Sequence, residues 1–470
     1  MKRYVLPLLC LLIACSDQPC PTCQVGDPVP APHYVTITRG QFAVDGEVWF
    51  PMMMNYKAFI EGDRVVPAPW YTGHDVKEHF DTIASWGFNA VRVCLDVLTT
   101  DGDTAMLYAA TRRMVQQADS AGLRVMLLIK APFKGYWQEY AVGLMRRLSD
   151  LPALWAYDLM NEPLYFDPEK NRDKCDAANI VCEWRRLVRE NAPHQLFTVA
   201  TAEPIEVFEW DPSMLPIDFI EMHTYHPLRV QAEMWWYSHY CGKPWMVGET
   251  GLPADGDSVP YREQVAFMWE TYRYAKINGA IGYGWWEFQD CPEGVNFEAQ
   301  YTGLRDSEGR RKPAVGLVSR LSATCMGVAT DEDILPPANY YNMLSYENLA
   351  VTGRVVDMAE QPIEGAVIRG WNDDWSVGMN TYSDSTGRFR LVSNDVCTHF
   401  EVSAPGHSNA KFDRRPSYPA GLALPQRTRE YQQVPLIGWG QDGMLPHDPK
   451  CFEASKAVEA SIGDIKIRRL

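Results

Sequence analysis

Short apolar segments alternate with amphipathic segments along the first two thirds of the chain. Three of the amphipathic segments, 76–86, 105–121 and 265–277, have helical spacing and are followed by Gly87, Gly122 and Gly279, which suit helix C-caps. Eight apolar runs have the length and β-branched or aromatic content of buried strands. These runs are 49–54, 90–95, 125–129, 155–160, 196–200, 219–222, 245–247 and 281–286.

This alternation predicts an α/β fold with a parallel sheet. Nearly continuous apolar strands separated by helices indicate a sheet that is covered on both faces. Eight units within about 290 residues fit a (β/α)8 TIM barrel better than an open doubly wound sheet. An open sheet of that kind would more often carry a glycine-rich phosphate loop after its first strand, and no such loop is seen here.

Acidic residues stand at the ends of two of the predicted strands. The fourth run ends in Asn161-Glu162-Pro163, and the seventh ends at Glu249. In a barrel the carboxyl ends of the strands carry the active site, so these two carboxylates are expected to face each other across the mouth. Hydrolysis of a glycosidic bond uses such a pair, and a separation of about 5 Å defines the retaining mechanism.

With these residues the chain resembles the clan A glycoside hydrolases, and family 5 most closely. The resemblance extends over roughly residues 41–312 and includes further residues at predicted strand ends. They are Arg92 at the second strand, His223 and Tyr225 at the sixth, and Trp286 at the eighth.

The resemblance implies a role for each matching residue. Glu162 would be the acid/base and Glu249 the nucleophile. A cation beside a nucleophile favours its carboxylate form, whereas the charge of Glu249 favours the protonated form of Glu162. Asn161 would bind the sugar 2-hydroxyl, and Arg92 would orient Glu249. His223 and Tyr225 would line the catalytic subsite. Trp286 would form a platform for the sugar ring.

Several positions leave alternatives open. Arg92 taken alone could be a structural ion-pair partner. Lys130 stands where many family 5 enzymes have a histidine, and it could contact an acidic sugar or pair with a rim carboxylate. The aromatic cluster 235–237 could stack on sugar or form a loop core, and Glu287 is expected to be structural. Asn55-Tyr56 and His223-Thr-Tyr225 favour the mannanase-like branch of the family.

The C-terminal third has a different pattern. The barrel is expected to cover 35–328 and a linker 329–347. From residue 348 short alternating strands and turns predict an all-β sandwich over 348–445 that resembles a carboxypeptidase-regulatory-like domain. A spacer or packing role is expected for it, since the sequence shows no aromatic row in support of carbohydrate binding. The tail 446–470 has no interpretation.

The N-terminus predicts export and a lipid anchor. A basic start precedes the apolar run 5–14, which is too short to span a bilayer. The run ends in Leu12-Ile13-Ala14-Cys15, which resembles a bacterial lipobox, so 1–14 would be the signal peptide and Cys15 the lipidated residue. Residues 15–34 would then be a proline-rich tether. The expected location is the cell envelope, as a surface-exposed outer-membrane lipoprotein; the alternative is an ordinary cleaved signal.

Composition, charge and cysteine spacing limit the binding partners and cofactors that are expected. The chain of 470 residues is 46% apolar and 22% charged, as in ordinary globular proteins, and its net charge of −16 argues against nucleic acid as a partner. Twelve cysteines show no paired zinc-type spacing, so no metal and no cofactor are expected. Cys20 and Cys23 form a lone pair in the tether. Cys175 and Cys182 are placed in one loop, where an oxidising compartment would permit a disulfide.

The sequence therefore predicts a retaining hydrolase of a β-linked mannan- or glucan-type polysaccharide or oligosaccharide. Two alternatives stay open. One is a catalytically silent, carbohydrate-binding surface lipoprotein built on the same barrel. The other is a transglycosylase, because a sugar hydroxyl can replace water in the second step. The sequence does not indicate the oligomeric state.

Overall fold

The computed structural model describes residues 20, 22–97, 104–130, 136–227, 229–294, 296–325, 349–375, 378–393, 395–419 and 458–470. Cys15, the signal segment 1–14 and the linker 329–347 lie outside these residues. Within them, none of the helices combines the length and the apolar character that a membrane crossing requires.

A small antiparallel sheet closes the lower end of the barrel. Its strands are β1 (Val35–Thr38), β2 (Gln41–Val44) and β3 (Glu47–Val48). Phe42 packs against Trp155 and Phe219 with ring centroids 5.1 and 5.0 Å apart, and all three rings are buried. This apolar plug seals the bottom, so the opposite end carries the polar residues.

The predicted (β/α)8 barrel is confirmed. Eight parallel strands form a continuous sheet in the described chain, and pairing of Tyr283 with Met52 closes it into a ring. A ninth strand, β5, adds antiparallel to the end of the first barrel strand. The strands are β4 (Met52–Glu61), β5 (Arg64–Pro67), β6 (Ala90–Val97), β7 (Arg124–Leu128), β8 (Leu154–Asn161), β9 (Leu196–Thr201), β10 (Ile220–His223), β11 (Trp245–Glu249) and β12 (Tyr283–Trp285).

Helices surround the barrel strands as the amphipathic pattern predicts. Gly87, Gly122 and Gly279 follow three of them with φ of 104°, 79° and 81°, a conformation that glycine adopts at little cost. A 3-10 helix spans Pro204–Phe208. The helices are α1 (Val76–Ser85), α2 (Thr104–Ser120), α3 (Tyr136–Leu148), α4 (Pro163–Phe166), α5 (Lys174–Asn191), α6 (Val230–Tyr240), α7 (Tyr261–Ile277), α8 (Phe297–Tyr301) and α9 (Val315–Cys325).

The cysteines form two disulfides between the N-terminal segment and α5. Cys20 pairs with Cys175, and Cys23 pairs with Cys182. The expected loop around Cys175 and Cys182 is wrong, because both residues lie on one helix, seven positions apart. That spacing puts them two turns apart on the same face, where each meets one cysteine of the tether. The segment expected to be a free tether is thus fastened to the barrel from Cys20 onward.

Non-reducing peptide mapping tests this pairing. We expect two linked peptide pairs, Cys20 with Cys175 and Cys23 with Cys182. We also expect the C20S/C23S variant to lose about 2–5 kcal/mol in free energy of unfolding, because each bond closes a loop of more than 150 residues in the unfolded chain. Cys94 is a buried free thiol and serves as the control, since C94S leaves both linked pairs intact. A Cys175–Cys182 crosslink in the map would contradict the pairing.

The C-terminal part is an all-β sandwich with its own core. One sheet contains β13 (Leu349–Val356), β16 (Arg388–Ser393) and β19 (Val458–Lys466), and β19 comes from the tail that the sequence left without interpretation. Strand β19 runs parallel to β13. The other sheet contains β14 (Val367–Trp371), β15 (Gly378–Tyr382), β17 (His399–Ser403) and β18 (Ala410–Asp413).

The aromatic cluster on α6 helps to join the two units. Trp236 is fully buried, and its ring nitrogen donates a hydrogen bond to the Gly365 carbonyl at 2.8 Å. Tyr237 is also buried and donates to the Ala202 carbonyl at 2.7 Å. Trp235 stacks on His239 at 4.1 Å. Trp236 and Tyr237 therefore belong to a core, which is one of the two alternatives expected for this cluster. They lie on a helix, however, and not in a loop.

Candidate active site

Arg92 lies at the centre of the barrel mouth and is completely buried. Strand β6 places its guanidinium above the last core layer, where the five donors have no access to water. It forms ion pairs with Asp158 at 2.7 Å, with Glu221 at 3.0 Å and with Glu249. Its neutral acceptors are Asn55 Oδ1 at 3.1 Å and Asn161 Oδ1 at 2.8 Å. Arg92 is thus a structural ion-pair partner, and one of its partners is Glu249.

Glu249 ends strand β11 and is nearly buried. One carboxylate oxygen accepts from Arg92, and Tyr225 donates its phenolic hydrogen to the other at 2.6 Å. Gly248 allows this packing, because a side chain there would collide with the Glu221 carboxylate. A carboxylate fixed at both oxygens can present only one direction to a ligand.

Glu162 follows directly after β8 and starts a sharp turn. Its φ is 43°, and a non-glycine residue in this left-handed region costs about 1–3 kcal/mol. The turn is held because the Glu162 amide donates to the Ala200 carbonyl at 2.8 Å and Pro163 opens α4. The half-buried side chain is thereby directed across the mouth toward Glu249.

His223 lies between the two carboxylates. Its Nδ1 is 2.7 Å from Glu162 Oε1 and 3.5 Å from Glu249 Oε2. Burial by itself lowers the pKa of His223, but the carboxylates of Glu249, Glu162 and Glu221 outweigh burial and raise the pKa to about 10. The ring is then an imidazolium at neutral pH, and it donates from Nδ1 to Glu162.

The carboxylates of Glu162 and Glu249 come close together. One oxygen of each, with a ring nitrogen of His223, forms a set whose members all lie within 4.8 Å of one another. This is the one converging set of three or more possible metal ligands in the described chain. A metal requires a neutral imidazole, whereas the raised pKa of His223 favours the protonated ring. The set therefore fits a carboxylate pair bridged by a cationic histidine better than a metal centre.

Trp286 and Lys57 form one wall of the mouth. The Lys57 ammonium lies 4.7 Å from the centroid of Trp286 and 5.3 Å from that of Trp70. Glu287 is buried, 3.7 Å from this ammonium, and accepts from Tyr71 Oη at 2.6 Å. Burial raises the pKa of Glu287 to about 7, with Lys57 opposing the shift. Glu287 thus anchors the wall, in keeping with a structural role, and Trp286 is partly buried.

Lys130 pairs with a rim carboxylate. Its ammonium is 2.6 Å from Asp96 Oδ1, and both side chains are exposed. This is the second of the two alternatives for Lys130. A contact with an acidic sugar is not needed to explain it.

Glu206 supports the turn that carries Glu162. It lies in the 3-10 helix after β9, fully buried, and accepts the amide hydrogens of Leu164 at 3.2 Å and Ala202 at 3.1 Å. Burial raises the pKa of Glu206 to about 8, although both amides lower it. The folded protein therefore keeps this proton over a pH range in which the unfolded chain, with a glutamate pKa of about 4.3, releases it.

This difference predicts a pH effect on stability. The contribution of protonated Glu206 is fully present below about pH 4.3 and is lost as the pH rises through about 8. We expect E206Q, which cannot ionise, to lose less free energy of unfolding than wild type between pH 5 and pH 8 in urea titrations. E190Q, at an exposed site on α5, is the control and should follow wild type. Parallel profiles for E206Q and wild type would show that Glu206 does not titrate in this range.

Hydrogen bonds and ion pairs join six of the residues proposed for the mouth: Arg92, Asn161, Glu162, His223, Tyr225 and Glu249. The seventh, Trp286, contacts Lys57 through its ring and donates its amide hydrogen to the carbonyl of Thr250, next to Glu249. Sequence reasoning missed Lys57, Glu206 and Glu221. Glu221 had a usable signal, because it lies two residues before His223 and so points to the same side of β10. Glu206 had none, since its role depends on a contact with Leu164, 42 positions away.

Comparisons with known proteins add little to this geometry. No protein-family model matches the sequence, and no curated protein matches it. Among solved structures, a β-D-glucuronidase from Dictyoglomus thermophilum is 14% identical, with a TM-score of 0.45 over 62% of this chain and 53% of that chain. A GH2 β-galacturonidase from Eisenbergiella tayi, bound to galacturonate, is 14% identical, with a TM-score of 0.46 over 62% and 54%.

A third match is a GH5_18 variant from Bifidobacterium longum subsp. longum in complex with Manβ1-4GlcNAc. It is 17% identical, with a TM-score of 0.43 over 61% of this chain and 78% of that chain. This chain spans about half the length of the first two structures. Identities and TM-scores this low establish no family membership, so function is argued from the residues of the mouth.

Proposed function

We propose that this protein is a retaining glycoside hydrolase acting on a β-linked polysaccharide or oligosaccharide of the mannan or glucan type. The observation that carries the proposal is the pair Glu162 and Glu249, whose oxygens approach within 4.8 Å at the C-terminal mouth of the barrel. Retaining enzymes hold their carboxyl groups about 5–5.5 Å apart, whereas inverting enzymes need about 6.5–9.5 Å to admit a water molecule.

Glu249 has the surroundings of a nucleophile. Arg92 and Tyr225 donate to its two oxygens and favour the carboxylate. It would attack the anomeric carbon, form a glycosyl–enzyme ester and displace the leaving oxygen. Asn161 fixes its carbonyl oxygen on Arg92, which leaves its amide hydrogens for a sugar hydroxyl. Trp286 offers a partly exposed ring for the apolar face of the sugar.

Glu162 would act as the acid/base together with His223. The hydrogen bond between them holds one transferable proton, because His223 is cationic at neutral pH and donates to Glu162. The proton would pass to the leaving oxygen through Glu162. Water then attacks the ester, and Glu162 accepts its proton. The proton donor is thus the pair, rather than Glu162 under the influence of Glu249 alone.

A substrate panel tests the proposal. We expect wild type to release reducing sugar from at least one of β-mannan, glucomannan, mixed-linkage β-glucan and xylan, with the product initially in the β configuration by ¹H NMR. E249A, matched in purity and folding, should be inactive on all of them. Initial formation of the α anomer would replace the retaining mechanism by an inverting one. Equal inactivity of wild type and E249A would favour the catalytically silent carbohydrate-binding protein.

We further propose that the enzyme works outside the cytoplasm, anchored through Cys15. Two features support this location. The N-terminal sequence ends in a lipobox-like segment before Cys15. The two disulfides to α5 are bonds that form and persist in oxidising compartments. Metabolic labelling with palmitate tests the anchor, and loss of the label in C15S, but not in C94S, is the expected result.

A further inference from the structure

Few aromatic side chains of the described chain are exposed to solvent. Three aromatic residues are about half-exposed or more: Tyr165 at 48%, Phe166 at 64% and Trp375 at 49%. Tyr165 and Phe166 lie on α4, three and four residues after Glu162. Trp375 belongs to the C-terminal sandwich. Aromatic rings left in water, rather than packed into either core, mark a candidate binding surface.

Contacts across the junction place Trp375 near the loop that follows Glu162. Trp375 stacks on Trp371 with centroids 4.7 Å apart. The Lys411 ammonium lies 5.8 Å from the Trp371 centroid and 3.2 Å from Asn171 Oδ1, in the loop after α4. In addition, β14 lies against the 3-10 helix at the end of β9. The sandwich sheet therefore borders the rim of the barrel on the side of Glu162.

Polar contacts hold the C-terminal sandwich against the barrel. Lys174 of α5 is buried, forms an ion pair with Asp211 at 3.1 Å and donates to Ser403 Oγ at 2.8 Å. Asn409 donates to the Phe208 carbonyl at 2.5 Å. These polar contacts, of which those of Lys174 are buried, fix the orientation of the sheet relative to the rim.

Arg369 gives this surface hydrogen-bond donors. Its guanidinium lies 5.3 Å from the centroid of Trp375 and 6.0 Å from that of Trp371. In the sheet it stands opposite Glu401, where burial raises the pKa of the carboxyl and the charges of Lys411 and Arg369 oppose the shift. Asn380 stands opposite Arg369 in the sheet, on the same face, and its buried Oδ1 accepts no hydrogen bond from the described residues. Burial raises the pKa of the Tyr165 hydroxyl, the charges of Glu203 and Glu162 add to the shift, and those of Arg229 and Arg369 oppose it, so Arg369 and Glu162 both lie within electrostatic range of Tyr165.

We propose that Tyr165, Phe166, Arg369 and Trp375, here named the junction surface, form an outer binding site for the polysaccharide chain that extends from the mouth. Aromatic faces stack on the C–H faces of sugar rings, and guanidinium and amide groups bind their hydroxyls. The proposal rests on the glycosidase function proposed above. It also gives the sandwich a role in binding substrate, beyond that of a spacer.

The first test compares a long and a short substrate. We expect W375A and R369A to lower kcat/KM about tenfold on the preferred polysaccharide, mainly through KM, as the loss of one stacking contact would. On the matching 4-nitrophenyl monosaccharide, which fills only the catalytic subsite, both variants should stay within about twofold of wild type. W375F should retain most of the activity on the polysaccharide.

Matched controls separate this effect from damage to the fold. M358A removes another exposed apolar side chain of the sandwich, and R354A removes an arginine of its other sheet, paired with Asp464. Both should behave as wild type on both substrates. If W375A leaves the polysaccharide unaffected, or lowers both substrates equally while its circular dichroism and Tm are unchanged, the junction surface does not bind glycan.

A binding test separates failure of this inference from failure of the proposed function. E249Q is run in native gels containing galactomannan, mixed-linkage β-glucan or xylan. Retardation by one polysaccharide that disappears in E249Q/W375A supports the junction surface, even if wild type hydrolyses nothing. Absence of retardation in all three gels, or retardation that survives in E249Q/W375A, overturns it, and a protein partner then becomes the better explanation of the exposed rings.

Discussion

Replacing Glu249 by alanine is expected to lower kcat on the preferred aryl β-glycoside on the order of 10⁴-fold, and azide is expected to restore turnover. The loss follows from removal of the atom that forms the covalent intermediate. The cavity left by the carboxylate admits a small anion, which attacks from the same side. The product should therefore be the α-glycosyl azide, identified by ¹H NMR.

Replacing Glu162 by alanine is expected to give the opposite anomer. The covalent ester with Glu249 still forms when the leaving group is an activated phenol, but water lacks its base, so turnover falls about 10²–10⁴-fold. Azide needs no base and attacks from the side of the missing Glu162, which gives the β-glycosyl azide. The fall should be steeper for substrates with poor leaving groups, because they also need the acid.

A third carboxylate serves as the control. Glu203 is 18% exposed, close to the 17% of Glu162, but it pairs with Arg229 at 2.7 Å and is not part of the set formed by Glu162, His223 and Glu249. E203A should keep kcat within about tenfold of wild type and form no glycosyl azide. The same anomer from E249A and E162A, or an exchange of the two anomers, would show that the roles are assigned wrongly.

The strand ends could be predicted because they depend on local patterns. Apolar runs of three to six residues indicate where the barrel strands lie, and a polar residue that follows a run is expected at the mouth. Glu162 and Glu249 needed only this rule and their chemistry. Predicting the place of Arg92 also required that β6 lies beside β4, as it does in the closed barrel.

The remaining features depend on contacts between distant segments. Cys175 and Cys182 could not be paired from their spacing, since their partners lie more than 150 positions away. The pairing of β19 with β13 could not be predicted, because a long segment separates the two strands in the sequence. The exposed rings of the junction surface come from two units, so neither part of the sequence shows an aromatic row. In each case folding brings together residues that are far apart in the chain, and the local hydrophobic pattern carries no information about such contacts.

Replacing Arg92 by alanine is expected to have the largest effect on stability. Three buried carboxylates, those of Asp158, Glu221 and Glu249, would lose their common cation. Removing one partner of a buried ion pair costs about 3–5 kcal/mol. The three carboxylates have no access to water, and after the substitution the nearby cation is His223, 3.5 Å from Glu249 and 3.8 Å from Glu221. We expect this loss in free energy of unfolding from urea titrations at pH 7. Arg112→Ala is the matched control, with a loss below about 1 kcal/mol, because its pair with Asp150 is exposed to solvent.

The cause of the loss can be separated from simple loss of volume. If stranded charge dominates, neutralising a carboxylate that takes no part in the chemistry should recover stability. We therefore expect R92A/E221Q to be more stable than the sum of the two single losses predicts, by about 1–3 kcal/mol. R92M, which restores volume without charge, should remain close to R92A. Additive losses in the double variant, with recovery in R92M, would show instead that packing holds the centre of the mouth together.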